Sequence, residues 1–201
     1  MARPSNTEQR RKEITAALVR VMSKRGYDRS SVADIAKAAR LTPGLVHYHF
    51  KSKQEILLAA LDDLVARHGA GLERRLDQAG GDAGRELDAF IDFHLGRGAD
   101  ADAQALACWI LLSGEALREP KVRAPFESAL EATAERAATI IRRGVDQGVF
   151  ECESIRAAAS AIVATIQGYF VLAASARSVI PKGSAAASTR LMVGGLLGRR
   201  T

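Results

Sequence analysis

The sequence predicts an all-α fold, and three observations predict it. Apolar residues recur at three- and four-residue steps along most of the chain, and no strand pattern of any length interrupts them. Alanine, the strongest helix former, is concentrated in runs such as Arg156 to Ala164 and Ala185 to Ala187. The breaks between periodic stretches carry glycine, proline or residues suited to capping a helix.

After a loose arm from Met1 to Asn6 that contains Arg3, the residues Ile14, Ala17, Leu18, Val21 and Met22 form the stripe of an amphipathic helix that stops at Gly26. Ser30 or Ser31 can cap a second helix, which turns Val32, Ile35, Ala36 and Ala39 inward and is followed by Leu41. Thr42 is a good cap and Pro43 suits the first position of a third helix. Ser52 with Glu55 makes a capping box for a long fourth helix, Lys53 to about Gln78, striped by Ile56, Ala59, Ala60, Leu64 and Val65.

Gly80, Gly81 and Gly84 break that helix. A fifth runs from Glu86 to Leu95 and ends at Gly96 and Gly98, and Pro120 closes a sixth that contains Cys108, Trp109 and Glu115. Two long helices follow, Val122 to Gln147 and Ser154 to Arg177, and a short last one runs from Ser184 to Leu197.

Composition narrows the classes. With 201 residues, 47% hydrophobic and 26% charged, the chain can bury a sizeable core. Its two cysteines, Cys108 and Cys152, have neither disulfide-framework nor zinc spacing, and nothing at the N-terminus resembles a signal peptide, so a cytoplasmic location without cofactor or metal is expected. The nearest approach to a membrane span, Ile162 to Ala176, is interrupted by Thr165, Gln167, Gly168, Tyr169 and Ser175, and fits a buried interface helix better than a membrane partner.

Charge is uneven. Residues 1–53 carry 12 Lys and Arg against 4 Asp and Glu, a net of +8, while residues 54–201 carry 17 against 19, a net of −2. Basic side chains release counterions from phosphates, so the asymmetry points to a polyanion-binding module on a near-neutral body.

The segment SSVADIAKAARLTPGLVHYHFKSK, Ser30 to Lys53, falls within that basic part. A helix-turn-helix needs a small residue where its helices touch and branched apolar residues to wedge them together at a steep angle. Ala36 supplies the first; Ile35, Leu41 and Val46 supply the second. With Val46 inward, Thr42, Pro43, Leu45, His47, Tyr48 and His49 spread over the remaining surface of a helix whose N-terminal end lacks acidic residues.

Hydroxyls, imidazoles, Lys51, Lys53 and the N–H groups at the helix start are donors that bond phosphate oxygens and fix register. Gly44 permits close approach because it has no side chain. The helix has no Arg, Asn or Gln for bidentate base reading, so Pro43 and Leu45 against thymine methyls are the candidate base contacts. Catalysis finds no support: His47 and His49, two apart on a helix, do not face each other to share a metal, and no base accompanies Cys108. The chain is read as not an enzyme.

This segment resembles the DNA-binding domain of TetR-family transcriptional regulators, with Asp34-Ile35-Ala36, Gly44, His49-Phe50 and Lys51-Ser52-Lys53 at the family's offsets. The resemblance implies a three-helix DNA-binding domain over residues 1–52 and a helical ligand-binding and dimerisation domain over 53–201. It implies phosphate contacts from Thr42, Tyr48, His49 and Lys53, with His47 where tyrosine is usual. It also implies base or groove contacts from Pro43, Gly44 and Leu45, and Phe50 as a core residue. Ser31 and Arg40 complete the set. Arg40 stands where most members have glycine; a positive φ there costs on the order of 1 kcal/mol, unless the residue compensates by facing DNA.

The remainder resembles a BetI-like subgroup through WILLSGEALREP, Trp109 to Pro120, and Gln167-Gly168-Tyr169-Phe170. The resemblance implies a homodimer through the last two long helices, with Ala157 to Ala161, Ala164, Gly168, Ile162, Ile166, Val171, Leu191 and Leu196 available to it or to the chain's own core. It also implies a pocket for an unknown small-molecule effector, with Phe90, Phe93, His94, Trp109, Leu112, Glu115, Phe126, Gln167 and Tyr169 as candidate lining. The expected function is a homodimeric repressor released from a palindromic operator by its effector. A sequence-tolerant architectural DNA binder and a transcriptional activator are the alternatives.

Overall fold

The computed structural model describes residues 6–96 and 103–198; the arm bearing Arg3 and the stop at Gly98 lie outside them. Among the described residues the chain is helical without strands: α1 (Asn6–Arg25), α2 (Val32–Ala39), α3 (Pro43–His49), α4 (Lys53–Asp77), α5 (Ala83–Leu95), α6 (Ala103–Arg118), α7 (Pro120–Asp146), α8 (Ile155–Ser175) and α9 (Ser184–Leu196), with a 3-10 turn at Arg177–Val179.

The capping signals work largely as the sequence suggests. Ser31 caps α2 in a reciprocal box: its Oγ accepts from the Asp34 N–H, and the Asp34 carboxylate accepts from the Ser31 N–H. The Ser31 hydroxyl, donating to that carboxylate at 2.6 Å, and then the Ser31 N–H hold the Asp34 carboxyl below its usual range. At α4 the box is offset: Ser52 Oγ accepts from the Glu55 N–H, but the Glu55 carboxylate takes the Lys51 N–H at 2.8 Å. Two expectations are corrected. Pro120 opens α7 instead of closing α6, since a missing N–H costs nothing in a first turn. Gly84 lies inside α5, which Asp82 starts by capping the Arg85 N–H.

The chain forms two compact units, one of described residues 6–67 and 103–126, the other of 68–96 and 127–198. In the first, α1 packs on α2, α3 and α6. Ile14, Leu18 and Met22 of α1, Ile35 and Ala36 of α2, Val46 of α3, Phe50, and Ile56, Leu57 and Leu61 of α4 are all buried.

In the second unit α5 packs on α8 and α9 around Leu87, Phe90, Ile91, Ile140, Ile141, Phe150, Ile162, Ile166 and Val193. Ile162 and Ile166 therefore serve the chain's own core. Val171, Leu191, Met192 and Leu196 stay exposed, as do Ala157, Ala161, Ala164 and Gly168, which follow one another at steps of four and three along one stripe of α8.

Phe150, past the end of α7, folds its ring against Gly144, where a built Cβ would overlap it. Gly144→Ala should therefore lower stability by about 1–3 kcal/mol through overpacking, although alanine is the better helix former. The midpoint of urea unfolding reads this directly. An unchanged or higher midpoint would show that Phe150 does not rest there.

Candidate nucleic-acid interface

α3 has seven residues, too few to be stable as an isolated helix, so its neighbours determine its orientation. Thr42 caps it, its Oγ1 accepting from the Leu45 N–H at 3.3 Å, and Pro43 fills the first turn. Val46 and Phe50 are buried. The opposite face is solvent: Thr42, Pro43, Gly44, Leu45, His47 and Tyr48 are exposed, Tyr48 by 79%. His49 is half-buried, its ring edge-on to Tyr48 with centroids 5.1 Å apart. A Cβ built on Gly44 meets nothing within 4 Å, so the fold itself does not require glycine there.

Arg40 ends α2 in the left-handed region, φ 58 and ψ 40, and its N–H bonds the carbonyls of Ala36 and Lys37. The strain expected for a non-glycine residue is present, and the side chain is exposed beside the start of α3. Ser31 is exposed, but its hydroxyl is engaged by Asp34. Lys53 is turned inward more than the sequence suggested: its ammonium donates to the Tyr27 carbonyl at 3.0 Å and lies 4.1 Å from the centroid of the Tyr27 ring. Burial, with Glu115, Glu119 and Asp28 nearby, pushes the Tyr27 hydroxyl up to about 12.

The nine candidate effector-site residues fall into different units. In the first, Trp109 stacks on Phe126 with centroids 4.5 Å apart, Leu112 is buried core, and Glu115 is ion-paired to Arg118 at 2.7 Å. Glu115 thus faces a guanidinium of its own helix.

In the second unit, Phe90, Phe93 and His94 gather with His68, a residue the sequence reading missed. The two imidazoles meet Nε2 to Nε2 at 3.1 Å, and His94 Nδ1 lies 2.8 Å from the Phe90 carbonyl. A carbonyl only accepts, so His94 Nδ1 carries the proton, its Nε2 accepts, and His68 donates. Phe93 rests on Gly71, which leaves room for the ring. Gln167 and Tyr169 are half-buried on α8.

A cleft of about 310 Å³ opens elsewhere in this unit, and none of the nine lines it. Its walls include Asp77, Gly80, Gly81, Glu86, Arg136 and Arg143, with Arg143 ion-paired to the buried Glu86. The signal for it lay in the Gly80-Gly81 break and in charges on α7 that read individually as solvated.

Comparison with known proteins matches this architecture. Residues 14–60 fit the family described as bacterial regulatory proteins, tetR family, and residues 83–198 fit the BetI-type transcriptional repressor C-terminal family. The HTH-type transcriptional regulator TtgR of Pseudomonas putida is 39% identical over 61 residues, 30% of this chain and 29% of that protein. BetI of Brucella canis is 34% identical over 70 residues, 35% of each. The matched stretches thus span about a third of these curated relatives.

Among solved structures, a TetR transcription regulator from Haloarcula marismortui superimposes with a TM-score of 0.80 at 19% identity, covering 94% of this chain and 97% of that one. A transcriptional regulator from Saccharomonospora viridis, crystallised in complex with choline, gives 0.76 at 25% identity over 93% and 94%.

The imidazole pair carries a pH prediction. Burial, reinforced by His68, holds His94 down to about 3 in the folded chain, against an ordinary value of 6.5. Between those values the unfolded state binds the extra proton, so stability falls as pH drops below 6.5 and is regained above it. The loss should approach about 2 kcal/mol by pH 5. Urea unfolding from pH 7 to 5 measures it, and His94→Gln should flatten the slope. An equally steep slope in that variant would assign the acid sensitivity to other groups.

Proposed function

Because this chain belongs to the tetR family of bacterial regulatory proteins, DNA-binding transcriptional regulators and not enzymes, with a C-terminal part of the BetI type, we propose that it is a homodimeric repressor that an effector releases from its operator. In this reading residues 1–52 are the DNA-binding domain, residues 53–201 are the regulatory domain, and the protein works in the cytoplasm on double-stranded DNA. The carrying observation is the outward face of α3. It presents hydroxyls, imidazoles, an exposed tyrosine and an unfilled space beside Gly44, flanked by a strongly basic N-terminal part.

Thr42, Tyr48, His47 and His49 are assigned to phosphates, and Pro43, Gly44 and Leu45 to the major groove. Arg40 is assigned to the flank. Ser31 and Lys53 contribute through groups left over from their internal bonds. Dimerisation is assigned to the exposed small-residue stripe of α8 with Leu191, Met192 and Leu196 of α9. α8 is apolar enough by composition to cross a membrane, yet only 28% of its most apolar stretch is buried within the chain, and we assign its exposed stripe to contact with a second copy.

α4 and α7 each begin in one unit and end in the other, which makes them the candidate levers. The effector must bind the DNA-incompetent form more tightly, since equal affinity shifts nothing. Choline, held by the Saccharomonospora viridis regulator, is the first compound to test, with Trp109 and Phe126 as aromatic partners for a cation.

The absence of Arg, Asn and Gln from α3 favours one competing reading, a sequence-tolerant binder. Selection from random duplexes with the purified protein separates the two: an inverted repeat is expected, and recovery of no common sequence would support the tolerant binder. Gly44→Ala should raise the stability of the free chain by up to about 1 kcal/mol. It should weaken the selected operator at least about ten-fold through lost approach. Unchanged operator affinity would remove α3's first turn from the interface.

A further inference from the structure

One side chain of α1 converges on the end of α3 from outside the recognised motif. The Arg11 guanidinium donates to the His49 carbonyl, lies 4.0 Å from the centroid of the Phe50 ring, and stands 3.9 Å from Glu55 Oε1. The other Glu55 oxygen accepts from the Lys51 N–H at 2.8 Å. Arg11 thus touches the last residue of α3, the residue that ends it and, through Glu55, the turn into α4.

The chemistry suits a brace. The final carbonyls of a helix have no partner within it, and a cation there satisfies one and complements the helix dipole. The flat guanidinium can stack on a ring while bonding in its own plane. Arg11 lies one turn before the buried Ile14, on the side of α1 that faces its neighbours. Its charge is partnered by Glu55.

We propose that Arg11 is a positioning residue for DNA recognition: it sets the tilt of α3, and so the reach of Leu45 and Tyr48, without contacting DNA. This rests on α3 being the element that enters the groove. A short helix anchored by two apolar residues can rock about that contact, and base reading requires its exposed side chains to be held tightly in place.

The test compares the full chain with Arg11→Ala, Arg11→Lys and Glu55→Gln on the selected operator and on a random duplex, over a range of salt. For Arg11→Ala, operator affinity should fall about ten-fold or more while random-duplex affinity changes less than about two-fold. The slope of log affinity against log salt should not change, because no phosphate contact is lost. Arg11→Lys should recover part of the operator affinity, and Glu55→Gln should reproduce part of the loss.

A fall on both duplexes with a slope reduced by about 1 would make Arg11 a phosphate contact and overturn the proposal. Wild-type operator affinity in Arg11→Ala would overturn it too. Should that variant unfold, Glu55→Gln and Arg11→Lys decide, since both must still lower the ratio of operator to random binding. If instead Leu45→Arg and Tyr48→Ala leave operator binding untouched, it is the placement of α3 in the groove that has failed, and this inference falls with it.

Discussion

The fold of the N-terminal unit depends on the burial of Val46 and Phe50. A seven-residue helix cannot hold itself together, and these two side chains dock α3 against the unit and determine which of its faces is left over. Because they face inward, Thr42, Gly44, Leu45, His47 and Tyr48 face outward. Reversing that choice would expose two apolar groups, each worth about 1.5–3 kcal/mol on burial. The exposed face of α3 is thus the complement of a packing decision, and it lies in the strongly basic N-terminal part of the chain.

Much of this was legible in the sequence, because local signals and packing agree here. Ser31, Thr42 and Pro43 mark helix starts that the structure uses, and Arg40 adopts the left-handed geometry its position called for. The discrepancies arise where a residue has two possible partners. The spacing of Ser52 and Glu55 predicts a closed box, but the Lys51 N–H lies within reach of the Glu55 carboxylate. The position of Lys53 predicts an outward cation, but the Tyr27 carbonyl and ring, 26 residues away, draw its ammonium in. No local pattern carries such long-range competition.

The C-terminal half was less legible for a related reason. Aromatic and acidic residues on middle helices look alike whether they line a cavity or fill a core. The structure pairs Glu115 with Arg118, stacks Trp109 on Phe126, and joins His94 to His68, a residue with no distinguishing neighbours in sequence. The faces of α8 separate more cleanly. Ile162 and Ile166 belong to the chain's own core, while Ala157, Ala161, Ala164, Gly168 and Val171 on the same helix remain uncovered. Period alone finds a helix's faces without saying which of them stays within the chain.

Chemical probing of the bound duplex tests the central claim most directly. Methylation of guanine N7 reports the major groove and methylation of adenine N3 the minor groove. With α3 seated as described, N7 protection should appear in two tracts about one helical turn apart, or a multiple of it, related by a dyad. Protection confined to adenine N3, or unprotected N7 positions at saturating protein, would show that the face left open by Val46 and Phe50 is not the one that meets DNA.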